Sequence, residues 1–147
     1  MESNKTLVSY AEQDNVSRAV LVWLNGYADK PARINYEYLG SDTVGLALST
    51  IQGAYKTRRY VGGGYEAQYQ FKVIYRLQPS TNDQRLSADE VLDALGDWAS
   101  SEANKPDLGE GLRVRRVTND SRSSLFARYE NGDEDHQILM TITYEVI

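Results

Sequence analysis

Apolar residues recur along this chain at two spacings, and each spacing predicts a different kind of element. Between residues 14 and 27 they recur every three or four positions, which is typical of the buried face of an α-helix. We expect Asp14 or Asn15 to cap this helix and Asn25-Gly26 to end it. The largely apolar residues 7–11 are consistent with an extra turn at its start.

A second helix is predicted over residues 87–101, where the start signal is strong. Ser87 and Glu90 have the spacing of a capping box, in which the serine accepts from a backbone N–H and the glutamate reaches back. Leu86 and Val91 stand where a hydrophobic staple packs. The acidic residues of this helix are expected to face water; they are Asp89, Glu90, Asp93 and Asp97.

The rest of the chain predicts strands. Residues 65–78 alternate apolar and polar side chains, as a half-buried antiparallel strand does. With residues 55–61 and the glycine tip at 62–64 they predict a long β-hairpin. Further strands are expected over residues 33–39, 44–51, 112–118, 125–129 and 136–147. The turn Glu130-Asn131-Gly132 joins the last two strands.

The order helix, strands, helix, strands favours an α+β fold. The strands stand too close to their turns for crossover connections throughout, so we expect a mainly antiparallel sheet. Two helices packed on one face of that sheet complete a two-layer sandwich. Residues 1–147 are expected to form a single domain, because the length suits one domain and no linker or repeat interrupts the pattern.

The amino-acid composition argues against several classes of function and several kinds of site. With 16 basic and 21 acidic residues the formal net charge is −5, which argues against a nucleic-acid-binding domain. Cysteine is absent, which excludes disulfides, thiolate metal sites and a cysteine nucleophile, and a single histidine excludes a multi-histidine metal site. We expect no signal peptide in the first residues, which are polar, and no membrane span, because no apolar run of about 18 residues exists. We therefore expect a soluble protein that stays in the cell or is built into an assembly there, with no membrane partner.

Candidate catalytic residues are few. His136 follows Asp133-Glu134-Asp135, and we interpret this segment as a solvated acidic hairpin end that leads into a strand. Gly62-Gly63-Gly64 lacks the spacing of a phosphate-binding loop and precedes no helix, so we interpret it as a flexible hairpin tip. No catalytic, cofactor-binding or metal-binding residues are predicted, and we expect a protein that is not an enzyme.

Two basic groups favour a protein–protein interface, because arginine and tyrosine are enriched at interfaces. The residues predicted to form it lie on the hairpin and on the strand after residue 111; they are Tyr55, Lys56, Arg58, Arg59, Tyr60, Tyr65, Arg113 and Arg115. Arg116 and Arg122 extend the second group. The alternative interpretation is that these side chains are the wet faces of ordinary strands. Opposed basic and acidic patches on one subunit are what a head-to-tail ring uses to set its register.

Several short motifs follow one another in order over residues 16–147. After the amphipathic helix come Ile34-Asn35-x-x-Tyr38-Leu39-Gly40, the hairpin arm Gln68-Tyr69-Gln70-Phe71, Asp97-Trp98 at a helix end, Pro106 with Leu108-Gly109, Ala127-Arg128-Tyr129, and a strand that finishes near Tyr144. In this order they resemble the tail terminator, or tail-completion, proteins of long-tailed bacteriophages. That family is often labelled minor capsid protein.

The resemblance implies an α+β subunit that assembles with copies of itself into a hexameric ring. Such a ring caps the tail tube, stops its polymerisation and presents a surface to the head connector. The implied partners are the tail tube protein, the head–tail connector protein and, in a contractile tail, the sheath. DNA passes through the lumen without specific binding. The implied location is the virion tail or neck, and the host cytoplasm during assembly. The family supplies no catalytic residues and no cofactor.

Two alternatives stay open at this point. One is a different head–tail neck adaptor with the same fold. The other, from a different class, is a small-ligand-binding or enzymatic domain. It would need His136, or the pair Arg58 and Arg59, to converge with carboxylates in a cleft.

Overall fold

Seven strands and two α-helices make up the part of the chain that the computed structural model describes, residues 6–37 and 45–147. In chain order they are β1 (Thr6–Leu7), α1 (Tyr10–Asn25), β2 (Ile34–Tyr36), β3 (Gly45–Arg59), β4 (Tyr65–Leu77), α2 (Asn82–Ala99), β5 (Leu112–Asn119), β6 (Ser124–Arg128) and β7 (Glu134–Val146). A short 3₁₀ turn, Glu102–Asn104, follows α2.

The strands form one mainly antiparallel sheet in the order β1-β3-β4-β7-β5. β2 lies parallel to β3 on the same side as β1, and β6 pairs with the start of β7 beyond β5. Both helices pack on one face of this sheet. The α+β fold, the long hairpin and the two-layer arrangement predicted from the sequence are therefore confirmed. That residues 1–147 form a single domain stays a prediction.

The hydrophobic core lies between the helices and one face of the sheet. The alternation predicted for β4 and β7 places Tyr69, Phe71, Ile142 and Tyr144 fully inside. Because side chains alternate between the two faces of a strand, the residues between them point to the opposite, open face. The rest of the core comes mainly from the periodic residues of the helices, namely Val16, Val20, Leu24, Leu92 and Leu95.

Helix α1 begins earlier than residue 14. The Ser9 hydroxyl caps it by accepting a hydrogen bond from the Glu12 backbone N–H at 3.1 Å. The extra turn expected before residue 14 is present, whereas Asp14 and Asn15 lie inside the helix and do not cap it. Leu7 belongs instead to β1.

The predicted start of α2 at Ser87 is wrong. The helix begins at Asn82, and the N-cap is Thr81, whose hydroxyl accepts from the Gln84 backbone N–H at 3.2 Å. Gln84 reaches back to the Ser80 backbone N–H at 2.6 Å, so Thr81 and Gln84 have the same serine/threonine-to-glutamine/glutamate spacing as the predicted box. The earlier start also brings Arg85 within 2.8 Å of Glu134 on β7, a contact that the local sequence does not reveal.

The strands predicted over residues 44–51 and 55–61 are one strand, β3, in the structure. An irregularity between Thr50 and Ala54 shifts the pairing with β4, and Gly53 there has a positive φ of 73°. A bulge of this kind lets one strand continue past an extra residue. Of the predicted residues, Val44 and the motif residues Tyr38, Leu39 and Gly40 lie outside the described part of the chain.

Gly64 is the glycine that the hairpin tip needs most. It has a φ of 79°, and a Cβ added there would stand 2.5 Å from the Val146 carbonyl oxygen. Gly63, with a φ of 102°, has no described atom within 4 Å of such a Cβ. Positive φ alone costs about 1 kcal/mol for alanine, and the backbone clash at Gly64 adds about another 1 kcal/mol.

We therefore expect Gly64→Ala to lower the free energy of unfolding by about 2 kcal/mol and Gly63→Ala by about half of that. Urea denaturation of both variants beside the parent chain measures the difference. Equal losses in the two variants would mean that the contact with Val146 does not restrain the tip.

Candidate functional site at the hairpin end of the sheet

The open face of the sheet, opposite the helices, is charged at the end that carries the hairpin tip. Four neighbouring strands contribute one residue each to a row across this face. In the order β3, β4, β7, β5 the row is Arg58, Glu66, Glu145 and Arg113. The next row in the same order is Tyr55, Gln68, Thr143 and Arg116. Register therefore joins the hairpin group and the β5 group, which are separate in the sequence.

Glu145 holds these two groups together. Its Oε2 accepts from the Tyr60 hydroxyl at 2.7 Å and from Arg115 Nη1 at 3.0 Å. Its Oε1 accepts from Arg113 Nε at 3.1 Å. The hydrogen bonds from Tyr60, Arg113 and Arg115 lower the pKa of Glu145 to about 2. The carboxylate is therefore charged at neutral pH, and it fixes two guanidinium groups whose side chains remain 67% and 48% exposed.

The other predicted interface residues are divided between the two faces of the sheet. Arg58 pairs with Glu66 and Arg59 with Tyr65, so these consecutive arginines lie on opposite faces and do not converge. Lys56 and Tyr65 are on the helix side, where the lysine Nζ stands 4.4 Å from the centre of the tyrosine ring. Tyr55 is on the open face but buried, and its hydroxyl donates to Gln68 Oε1 at 3.0 Å. An interface role for all of these residues stays a prediction.

Glu12 is a second carboxylate that the sequence did not single out. On the helix side its two oxygens accept hydrogen bonds from the hydroxyls of Tyr65 and Tyr144, the latter at 2.7 Å. Burial and the bond to Glu12 raise the pKa of Tyr65 to about 12, and the same causes raise the pKa of Tyr144. These bonds fasten the first turn of α1 to the sheet.

The prediction of a solvated acidic hairpin end is wrong for Glu134 and Asp135, which belong to β7 and are buried, as is His136. His136 is 2% exposed; its Nδ1 lies 2.9 Å from Asp89 Oδ1 on α2 and its Nε2 3.3 Å from Glu134 Oε1. Asp89 was expected to face water, but its side chain is only 30% exposed because α2 packs on β7 and brings it against His136.

Arginines balance the negative charges of Glu134 and Asp135, the two buried acids of β7. Glu134 Oε2 accepts from Arg85 Nε at 2.8 Å and from Arg128 Nε at 3.0 Å. Burial acts to raise the pKa of Glu134, but hydrogen bonds from Arg85, His136 and Arg128 outweigh it and the pKa is lowered. Asp135, on the open face, binds Arg76 through both its oxygens at 2.7 and 2.8 Å.

His136 therefore meets carboxylates, as the enzymatic hypothesis requires, but in the interior and not in a cleft. Burial separates its ring from any ligand in solution. Among the described residues no group of three or more histidine, aspartate or glutamate side chains is arranged to hold a metal ion. In the same part of the chain no helix is long and apolar enough to cross a membrane. That the protein is not an enzyme stays a prediction.

No family model and no curated protein sequence matches the chain. Among the solved structures that resemble it, two do so at a TM-score of 0.54. One has no functional description, is 17% identical and aligns over 92% of this chain and 95% of its own. The other belongs to the virion of a native gene transfer agent particle, is 16% identical and aligns over 93% of this chain and 99% of its own. At these identities the likeness shows a shared fold.

Proposed function

We propose that this chain is a structural virion protein and, within the virion, a tail terminator. Copies of the chain form a hexameric ring that caps the tail tube, ends its polymerisation and joins it to the head connector. The partners proposed are the chain itself, the tube protein, the connector protein and, if the tail contracts, the sheath. DNA passes through the ring without specific binding.

The likeness to a chain of a gene transfer agent virion carries this proposal. It runs over 93% of this chain and 99% of the other, so it concerns a whole subunit and not a shared fragment. The order of motifs from the first helix to Tyr144 supports the more specific assignment to the tail. The formal charge of −5 suits a conduit through which a polyanion must slide without being held.

Deleting the coding gene from its parent genome tests the proposal by electron microscopy of the particles produced. We expect overlong tails without heads beside full heads, because the tube would polymerise without its cap. A plasmid copy of the wild-type gene should restore tails of normal length.

Other outcomes would overturn the proposal at different levels. Tails of normal length that fail to join heads would replace the terminator with a neck adaptor of the same fold. Intact infectious particles would exclude both structural roles.

A further inference from the structure

One end of the sheet carries an excess of positive charge. We name it the basic end; it comprises Arg58, Arg113, Arg115 and Arg116 around the carboxylates of Glu66 and Glu145. Four guanidinium groups against two carboxylates leave this end positive in a chain whose formal charge is −5. The four arginines are exposed, whereas both carboxylates are buried beneath them. Val61 at the hairpin tip and Ile147 after β7 add exposed apolar side chains at this end of the sheet.

The outward face of α2 carries the opposite charge. We name it the acidic helix face; its exposed residues are Asp83, Leu86, Ser87, Glu90, Ala94 and Asp97. They recur at steps of three and four and so project from one side of the helix. None of these six residues is a lysine or arginine; the guanidinium of Arg122 borders the face, 3.9 Å from Asp93. Leu86 presents an exposed apolar side chain between Asp83 and Glu90. Both surfaces thus mix a few apolar side chains with charges of one sign.

The two surfaces lie on opposite faces of the sheet, and the first half of α2 also lies at the end away from the basic end. The pairing of β4 with β7 runs from Tyr65 with Val146 at the basic end to Leu77 with Glu134 at the far end. Twelve residue steps along a strand span about 40 Å. Arg85 in the first half of α2 contacts Glu134, which places that half at the far end. The basic end of a subunit therefore cannot contact the acidic helix face of the same subunit, because the sheet lies between them.

We infer that the basic end of one subunit docks on the acidic helix face of a second copy. Two different patches, far apart on one chain, make a head-to-tail contact, which is the kind of contact that generates a closed ring. Opposite charges fix the partner and the register, and the apolar side chains on both surfaces supply area to bury. The inference rests on the proposed ring and names the surfaces that build it.

Charge reversal tests the inference in particles made by the gene-deleted genome and complemented from a plasmid. The first variant, Arg58→Glu with Arg116→Glu, reverses the basic end without touching the arginines that bind Glu145. The second, Glu90→Lys with Asp97→Lys, reverses the acidic helix face. The control, Asp29→Lys with Glu130→Lys, makes the same change in net charge as the second variant, at exposed acids outside both surfaces. Circular dichroism of each purified variant checks that it is folded.

The readout is the amount of this protein in purified particles, measured by immunoblot. We expect each reversed variant to fall at least tenfold and the control to match the parent chain. Expressing the two reversed variants together should restore incorporation. The reversed, acidic end of the first variant can dock on the reversed, basic helix face of the second, and the unchanged surfaces pair as in the parent chain. The two variants then alternate around an even-numbered ring.

Two results would overturn the inference, and a third would overturn the proposed function. Normal incorporation of both reversed variants would remove these surfaces from the subunit contact and leave the proposed function standing. Loss in the arginine variant alone, without rescue by its counterpart, would assign the basic end to another anionic partner, DNA included. Incorporation of the wild-type chain is the reference, and its absence from particles would defeat the proposed function itself.

Discussion

Replacing Asp135 with alanine should lower the free energy of unfolding by about 3 kcal/mol. The Asp135 carboxylate is buried and accepts two hydrogen bonds from Arg76, at 2.7 and 2.8 Å, and one from the Tyr129 hydroxyl at 2.8 Å. Its bond to Arg76 raises the pKa of that arginine, and the guanidinium also lies 4.8 Å from the centre of the Tyr129 ring. Removing the carboxylate takes the opposite charge and two hydrogen bonds from a largely buried guanidinium group.

We expect a loss at the lower end of the range for broken buried ion pairs, because the Arg76 side chain is 19% exposed and water can reach part of it. Asp133→Ala is the matched control. It removes a carboxylate two residues away whose side chain accepts only from Asn131 among the described contacts, at 3.1 Å, and should cost about 0.5 kcal/mol or less.

Chemical denaturation of the two variants gives the comparison. The double variant Arg76→Met with Asp135→Leu adds a second check, since replacing both partners with apolar side chains costs less than removing one. A loss in Asp135→Ala no larger than that in Asp133→Ala would show that the pair adds nothing to stability.

The same cluster explains which parts of this fold could be predicted from the sequence. Elements whose apolar residues recur at a regular spacing, such as α1, β4 and β7, are predictable because that spacing is visible within a few positions of the sequence. The run from Asp133 to His136 reads locally as a polar turn, yet most of it is buried. Its burial depends on Arg76 and Arg85, which lie 59 and 49 residues away and which no local pattern connects to it.

The boundaries of α2 were missed for a different reason. Two capping patterns, one at Thr81 and one at Ser87, follow each other within a few residues, and the local sequence does not decide between them. Tertiary contact decides, because the earlier start places Arg85 against Glu134 at 2.8 Å. Likewise, the two basic groups were found from composition, but their meeting at Glu145 follows from strand register. A carboxylate on the polar side of an alternating strand, opposite arginines, is the signal that could have found it.

Glu12→Ala is the second substitution for which we expect a large loss, about 3 kcal/mol. The carboxylate of Glu12 accepts from the hydroxyls of Tyr65 and Tyr144, and Tyr144 is fully buried. A buried hydroxyl that loses its acceptor costs about 1 to 3 kcal/mol, and this substitution takes the acceptor from two. Asp14→Ala, at an exposed acid of the same helix, is the matched control and should be close to neutral.

The dependence of the free energy of unfolding on pH, measured by urea denaturation at a series of alkaline pH values, gives a second readout. Burial and the bond to Glu12 raise the pKa of Tyr65 to about 12, from an ordinary value of 10.0. The stability that this group contributes is complete below pH 10 and is lost as the pH rises toward 12, because only the unfolded chain then readily releases the proton.

In Glu12→Ala the pKa of Tyr65 should fall toward its ordinary value, and the loss of stability between pH 10 and 12 should become shallower. The Asp14→Ala variant should keep the alkaline profile of the parent chain. If Glu12→Ala lost stability but kept that profile, the carboxylate would act through the helix terminus and not through the tyrosines. A changed profile would instead show that the hydrogen bonds from the tyrosines to Glu12 hold the first turn of α1 to the sheet.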